Sequence, residues 1–439
     1  MAIADWTLNS DWTRQSSSPG VAGPSRRAKC FGLWPLIMLI VLSGCHSTNL
    51  ATSRPPSAAD IQREKALIAF VEKHEMASRA IAELSVLART SPAARNALIA
   101  TLLRQDGSWA MIYWQKAAEN CDATWIGPML EQYSKAAGQF KLETLLYLLG
   151  SLGRDGAPAM GFLKDRLRTA SAEDAAATRV VLAEIGDRSA ENLAIIESNL
   201  ARNDRVRSVT AVWLMAFGSS WTTPKMIGSL TAQLAATSTD DVIPAVLALG
   251  NQKDKARGAA DKLAALIKRA EADDVPMLFT CRLALAQIQK EQRDTHLTKA
   301  MEIVGSDKFS NHPHMAAVFA AQRQLGRLRP DVVRLLDSTN MDVQAGAIYC
   351  MGVVALPQAE LAIKLLKILD QPPTEQNERL RHRAAEVLAA VAEVPQLPQI
   401  EAARRRERQA QEDGNLAAIG VEMTLQSVIE SIRLDPPKP

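Results

Sequence analysis

The feature that most constrains this chain is self-similarity at a period just above thirty residues. A helix of small and aliphatic residues ending in an aliphatic–Gly pair recurs at Leu145–Gly153, Val180–Gly186, Val212–Gly218 and Val246–Gly250. The anchoring glycines, Gly153, Gly186, Gly218 and Gly250, stand at almost equal intervals. Weaker copies follow with looser spacing at Leu283–Gln289, Ala320–Gly326, Ile348–Ala355 and Val387–Ala392. Three near-equal intervals mark a repeat architecture, in which each unit buries its apolar face only against its neighbours.

The unit reads as two antiparallel helices. Apolar residues recur at spacings of three and four from Ile61 onward, and no run alternates with the period of a strand. Gly past a helix end suits the left-handed closing conformation. Pro158, Pro224, Pro330, Pro357 and Pro395 follow within a few residues, as suits the first turn of the next helix. The aromatic share of 5% against 47% apolar residues agrees with layers packed through Ala, Leu and Val. The expected fold is all-α, an α-solenoid.

Three segments carry a family likeness. Asp204-Arg205-Val206-Arg207 leads to Ala216-Phe217-Gly218, Asp342-Val343-Gln344-Ala345 to Cys350-Met351-Gly352, and Leu380-Arg381-His382-Arg383-Ala384-Ala385 to Ala389. This resembles the second helix of HEAT and HEAT-like (phycocyanobilin-lyase-type) repeats, and implies stacked HEAT-like helix pairs over 140–400. Residues 61–139 then read as divergent opening repeats. Tetratricopeptide-like repeats are the alternative, but those place small residues inside both helices, whereas the glycines here stand at helix ends. In 401–439, Arg404-Arg405-Arg406 and Arg408 are offset by Glu401, Glu407, Glu412 and Asp413 before a last amphipathic helix, which reads as a polar cap.

The first sixty residues have a different character. Arg26, Arg27 and Lys29 precede twelve uncharged residues, Phe31 to Leu42, and then Ser43, Gly44 and Cys45. Twelve residues are too few to cross a bilayer of ~30 Å as a helix, and the order of basic, apolar and small residues is the secretory pattern. The Leu42-Ser43-Gly44-Cys45 ending resembles the lipobox of bacterial lipoproteins. That resemblance implies removal of 1–44, recognition through Leu42, Ser43 and Gly44, and a lipid on Cys45. The stretch from Met1 to Ser25 ahead of the basic cluster is longer than such signals carry, which points to a translation start downstream near Val21. His46 stands where inner-membrane lipoproteins often carry Asp, so the expected location is the outer membrane, facing the periplasm. Residues 45–60, rich in Ser, Thr, Ala and Pro, read as the lipidated end and its tether.

Charge and motifs narrow the function. After removal of 1–44 the chain holds 47 basic and 46 acidic residues, which supplies no polybasic surface for nucleic acid. A Gly-rich phosphate loop, a Gly-x-Ser-x-Gly elbow, a Ser-x-x-Lys pair and a His-Glu-x-x-His helix are all absent from the sequence. The iron-holding HEAT-like enzymes repeat His-Glu dipeptides; here only His74-Glu75 occurs. His312 and His314 sit close together in a turn without further ligands nearby in sequence, and no cofactor or metal is expected. Cys121, Cys281 and Cys350 are too far apart along a solenoid to pair, and read as free thiols.

One compositional anomaly remains. Trp109, Tyr113, Trp114, Trp125, Tyr133, Phe140 and Tyr147 crowd into one short stretch of a chain otherwise poor in aromatics. They read as large core residues of the early repeats. The competing reading makes Trp109, Tyr113, Trp114 and Trp125 an anchor patch for a partner, since Trp and Tyr dominate interface hot spots. The function expected is therefore non-enzymatic: a lipid-anchored envelope scaffold or adaptor whose repeat surface binds another protein. The alternatives are an obligate accessory subunit of an envelope enzyme or assembly complex, and a lyase-like enzyme.

Overall fold

The computed structural model describes residues 58–73, 78–104, 117–118, 120–135, 139–218, 220–270, 274–306, 308–309, 317–318, 320–354, 359–374, 376–392, 394–416 and 418–434. Helices and their connecting turns make up these residues, with no strand among them. The helices are α1 (Ala58–Lys73), α2 (Ser78–Leu87), α3 (Pro92–Arg104), α4 (Ile126–Lys135), α5 (Gln139–Ser151), α6 (Met160–Arg166), α7 (Ala172–Ile185) and α8 (Ala190–Ala201). They continue as α9 (Arg205–Phe217), α10 (Pro224–Gln233), α11 (Thr239–Gln252), α12 (Ala260–Arg269), α13 (Val275–Ile288), α14 (Arg293–Gly305) and α15 (Gln322–Arg327). The last six are α16 (Arg329–Leu335), α17 (Met341–Val354), α18 (Ala359–Leu369), α19 (Glu378–Val391), α20 (Leu397–Glu412) and α21 (Ala418–Leu434). Among the described residues no helix is long and apolar enough to cross a membrane.

The expected solenoid is present. A row of long helices, α5, α7, α9, α11 and α13, packs each against the next, and α17, α19 and α21 continue in the same way. A second layer flanks it, with α8 against α9, α10 against α11, α12 against α13, α16 against α17, α18 against α19 and α20 against α21. A row helix in the middle of the stack is apolar on nearly every side because it is covered on every side: in α9 all of Ser208–Phe217 is buried. The charged stretch expected as a cap is α20, and with α21 it forms one more pair stacked on α19.

Helix starts follow local side-chain chemistry. Ser171, Ser189, Asp204, Thr223 and Asp274 each accept a hydrogen bond from a backbone N–H of the first turn they precede. Such a cap satisfies a donor that has no intrahelical partner, at about 1 kcal/mol each. Pro224, Pro276, Pro330 and Pro398 stand in the first turn, where their missing N–H costs nothing. Pro158 and Pro395 instead lie within 3₁₀ turns, and Pro357 lies outside the described residues.

The glycine expectation needs correction. Gly153 and Gly186 do take positive φ, +53° and +135°. Gly218 does not, and Gly250 lies inside α11. These two serve close packing: a Cβ on Gly218 would stand 2.6 Å from Leu214 Cδ2, and one on Gly250 3.0 Å from Ala284 Cα of the next row helix. The residue that corresponds to Gly153 after α11 is Lys253, each opening a 3₁₀ turn that leads to the next helix. Lys253 takes a φ of 52°, with a ψ far from the left-handed helical well, a conformation that suits glycine.

Between α13 and α17 the regular pairing breaks. The second helix of this unit is short, and α14 itself packs closely against both α13 and α17. The approach is close enough that a Cβ on Gly346 would collide with the Met301 carbonyl, and one on Gly305 with that of Asp342. The looser spacing in the later sequence is the trace of this break.

Two substitutions test these assignments by chemical denaturation. Lys253→Gly is expected to raise stability by about 1 kcal/mol, through relief of backbone strain. Gly346→Ala, which in an ordinary helix interior would gain about 1 kcal/mol, is expected instead to cost about 3 kcal/mol through the carbonyl collision.

Candidate functional site: a polar pocket on the helix row

Most of the row is apolar, so an ionisable side chain set into it stands out. Glu143 lies on α5 between buried Leu142 and buried Thr144. It opens onto a pocket of about 220 Å³ shared by α5, α7 and α9. Leu146, Ala177, Val209 and Trp213 give the apolar lining, and Ser171, Glu173, Asp174 and Arg205 complete it. The α7 contribution comes from its first turn, which is fixed by Ser171 accepting a hydrogen bond from the Asp174 N–H at 3.1 Å. Arg205 is the first residue of α9, directly after the Asp204 cap.

The Glu143 carboxyl is pushed up to about 7 from an ordinary 4.5. Burial is the main cause, the Asp174 carboxylate adds to it, and the Arg205 guanidinium opposes both. A group poised near neutrality can donate a proton to a ligand or, once ionised, attract a cation; perturbed carboxyls in clefts are where function concentrates. The sequence reading missed Glu143. Its only trace there is a single acid inside Leu142-Glu143-Thr144-Leu145-Leu146, an otherwise apolar row helix.

A second charged feature is internal. Arg381 of α19 and Glu407 of α20 form an ion pair in which both side chains are essentially free of solvent. Arg381 also donates to the carbonyls of Ile368, at 3.2 Å, and Gln371, after the end of α18. Burial lowers Arg381 to about 10, which leaves it charged at neutral pH. The pair joins α18, α19 and α20; in sequence Glu407 stood among the charges of the cap and Arg381 inside a repeat phrase.

Of the residues singled out from sequence, Leu42, Ser43, Gly44, Cys45, Trp109, Tyr113 and Trp114 lie outside the described residues, as do His74, Glu75, His312 and His314. Trp125 is described and is fully buried just before α4, so an exposed patch does not extend to it. Tyr147 is buried too, its ring 5.8 Å from that of Phe217. Tyr133 is half-buried edge-on against Phe162. Cys121, Cys281 and Cys350 are free thiols; burial pushes Cys281 up to about 12 and raises Cys350 further, which makes both unreactive.

No family model and no curated protein matches the chain. The class defined by the fold is an all-helical, solenoid-like array with a charged pocket near its N-terminal end.

The sign of the Glu143 effect is fixed by linkage. Between about 4.5 and about 7 the folded chain holds a proton that the unfolded chain has released, so stability falls as pH rises through that window. Glu143→Gln removes the titration. The variant is expected to have a flatter profile of melting midpoint against pH, and to exceed the parent by about 2 kcal/mol at pH 8.

Proposed function

We propose that this chain is a lipid-anchored protein of the bacterial cell envelope, and that its helix-pair array is a scaffold or adaptor that binds another protein. On this reading residues 1–44 are removed, Cys45 carries the lipid, and residues 46–60 tether the array to the outer membrane on its periplasmic side. Two or more acyl chains on one cysteine make such anchoring stable where a single chain is marginal.

The repeats are read as HEAT-like. What supports this beyond the sequence phrases is their polar ladder: Asp204 caps α9, and Arg207 on the same helix reaches Asp241 at the start of the next row helix at 3.2 Å. In this unit the Asp and Arg of the phrase thus act in helix capping and in joining neighbours.

The observation that carries the binding reading is the pocket between α5, α7 and α9. Its lining combines apolar side chains with three carboxylates and one guanidinium, which suits a basic side chain of a partner: the stem lies on the apolar wall and the cation meets the carboxylates. Glu143→Lys is therefore expected to abolish capture of the native partner, in cross-linking from whole envelopes, without loss of the helical signal. Unchanged capture would remove the pocket from the reading.

Anchoring has its own test. Cys45→Ser is expected to abolish incorporation of labelled palmitate and to release the protein from the membrane fraction. Undiminished labelling of that variant would sink the anchor.

A further inference from the structure

The break in the array places one segment where a regular repeat would not. The segment containing α15 lies across the ends of other helices, in contact with α11, α13 and α17. Gln324 Nε2 donates to the Leu247 carbonyl of α11, and Arg327 Nη1 donates to Asn251 Oδ1 at 3.1 Å. Gln322 Nε2 donates to the Val353 carbonyl of α17. The first two bonds span 77 and 76 residues, whereas the bonds between adjacent repeats at Gln233–Leu200, Asn251–Met215 and Lys290–Asp254 span 33 to 36. The segment therefore reaches back past its neighbouring unit.

Three further observations bear on what this arrangement does. Room for it is built into α11: a Cβ on Gly250 would stand 2.7 Å from Gln324 Nε2. Ala321, Leu325 and Leu328 of the segment are buried in the apolar core, while its polar fit is incomplete. Oε1 of Gln252, Gln322 and Gln324, and both amide atoms of Gln287, are buried with no partner among the described residues. Each is desolvated without a hydrogen bond in return. Finally, the stack does not depend on the segment for continuity, because α14 packs directly against both α13 and α17.

We propose that the last turns of α11, α13 and α17 form a peptide-docking surface that the segment Gln322–Leu328 occupies in the free protein. The partner that takes its place carries the same chemistry, an arginine preceded by amide side chains, which presents donors to the helix-end carbonyls and to Asn251. Binding then exchanges an intramolecular strand of contacts for an intermolecular one, and the array opens this surface only to a partner able to compete. The inference goes beyond the adaptor reading and makes no use of the Glu143 pocket, which the first turns of α7 and α9 form at the opposite ends of the row helices.

The test uses the full-length protein and a fluorescein-labelled peptide of residues 320–328, Ala-Ala-Gln-Arg-Gln-Leu-Gly-Arg-Leu. In fluorescence polarisation, the double variant Gln324→Ala, Arg327→Ala is expected to bind the peptide at least tenfold more tightly than the parent, and a scrambled peptide not at all. The melting midpoint of the double variant and deuterium uptake within α11, α13 and α17 are expected to match the parent. Equal binding by parent and variant, or none by either, would overturn the proposal. So would a variant that unfolds, or that exchanges faster throughout these three helices, because the segment would then be part of the stack. Unchanged capture by Glu143→Lys together with the expected peptide binding would remove the pocket and leave this surface standing.

Discussion

No helix pair of this chain can bury its apolar face by itself, and every other property of the molecule follows from that. A row helix such as α9 is buried around its whole circumference, which requires a partner in its own pair and a row helix on each side. Each unit is thus stabilised by its neighbours, and the interface between units carries most of the hydrophobic stabilisation. The cost is that the row needs backbone-close contacts at several points. Gly150 leaves space for the Phe217 ring and Gly352 for the Val387 side chain, while Gly305 and Gly346 let two backbones meet.

The two edges of the row solve the helix-end problem in different ways. At N-terminal ends, Ser and Asp side chains cap the free N–H groups locally. At C-terminal ends, carbonyls are taken up by side chains from later in the chain: Asn251 on Met215, Gln252 on Gly218, and Arg293 on Ala286. Both edges therefore couple one repeat to the next, the second through amides on carbonyls and the first through pairs such as Arg207–Asp241 and Arg379–Asp342. A donor-bearing segment at the second edge can replace one amide clasp with another.

Much of this was legible in the sequence, and the exceptions share a cause. Periodicity located the row helices from α5 to α19, because each ends at or near one of the recurring phrases from Leu145–Gly153 to Val387–Ala392. The role of the glycines was only half legible: positive φ at Gly186 and close packing at Gly250 leave the same letter in the sequence. The Lys253 conformation had no trace, since a lysine gives no sign of an imposed φ. Glu407 stood among charges that read as a polar cap and Arg381 within a repeat phrase, and only the stacking of α20 on its neighbours buries them. The Glu143 pocket depends on three helices from three units, and a single-residue anomaly in α5 was its whole signal.

The displaced segment around α15 was the least legible element, and the reason is energetic. Its sequence, Ala320 to Gly326, carries the same phrase that forms row helices elsewhere, so local propensity favours the regular position. What prevents that position is competition: α14, through Gly305 and Gly346, approaches α17 more closely than any side chain at those positions would permit. With backbone contact made there, α14 becomes the continuous neighbour of both α13 and α17. The helix that follows must then find other partners, and the carbonyls and amides at the ends of α11 and α17 are what it meets. A repeat array tolerates such an exchange because stability is local to each interface. The pair Gly305 and Gly346 is what permits the backbone contact between α14 and α17 beside which this segment lies over the row.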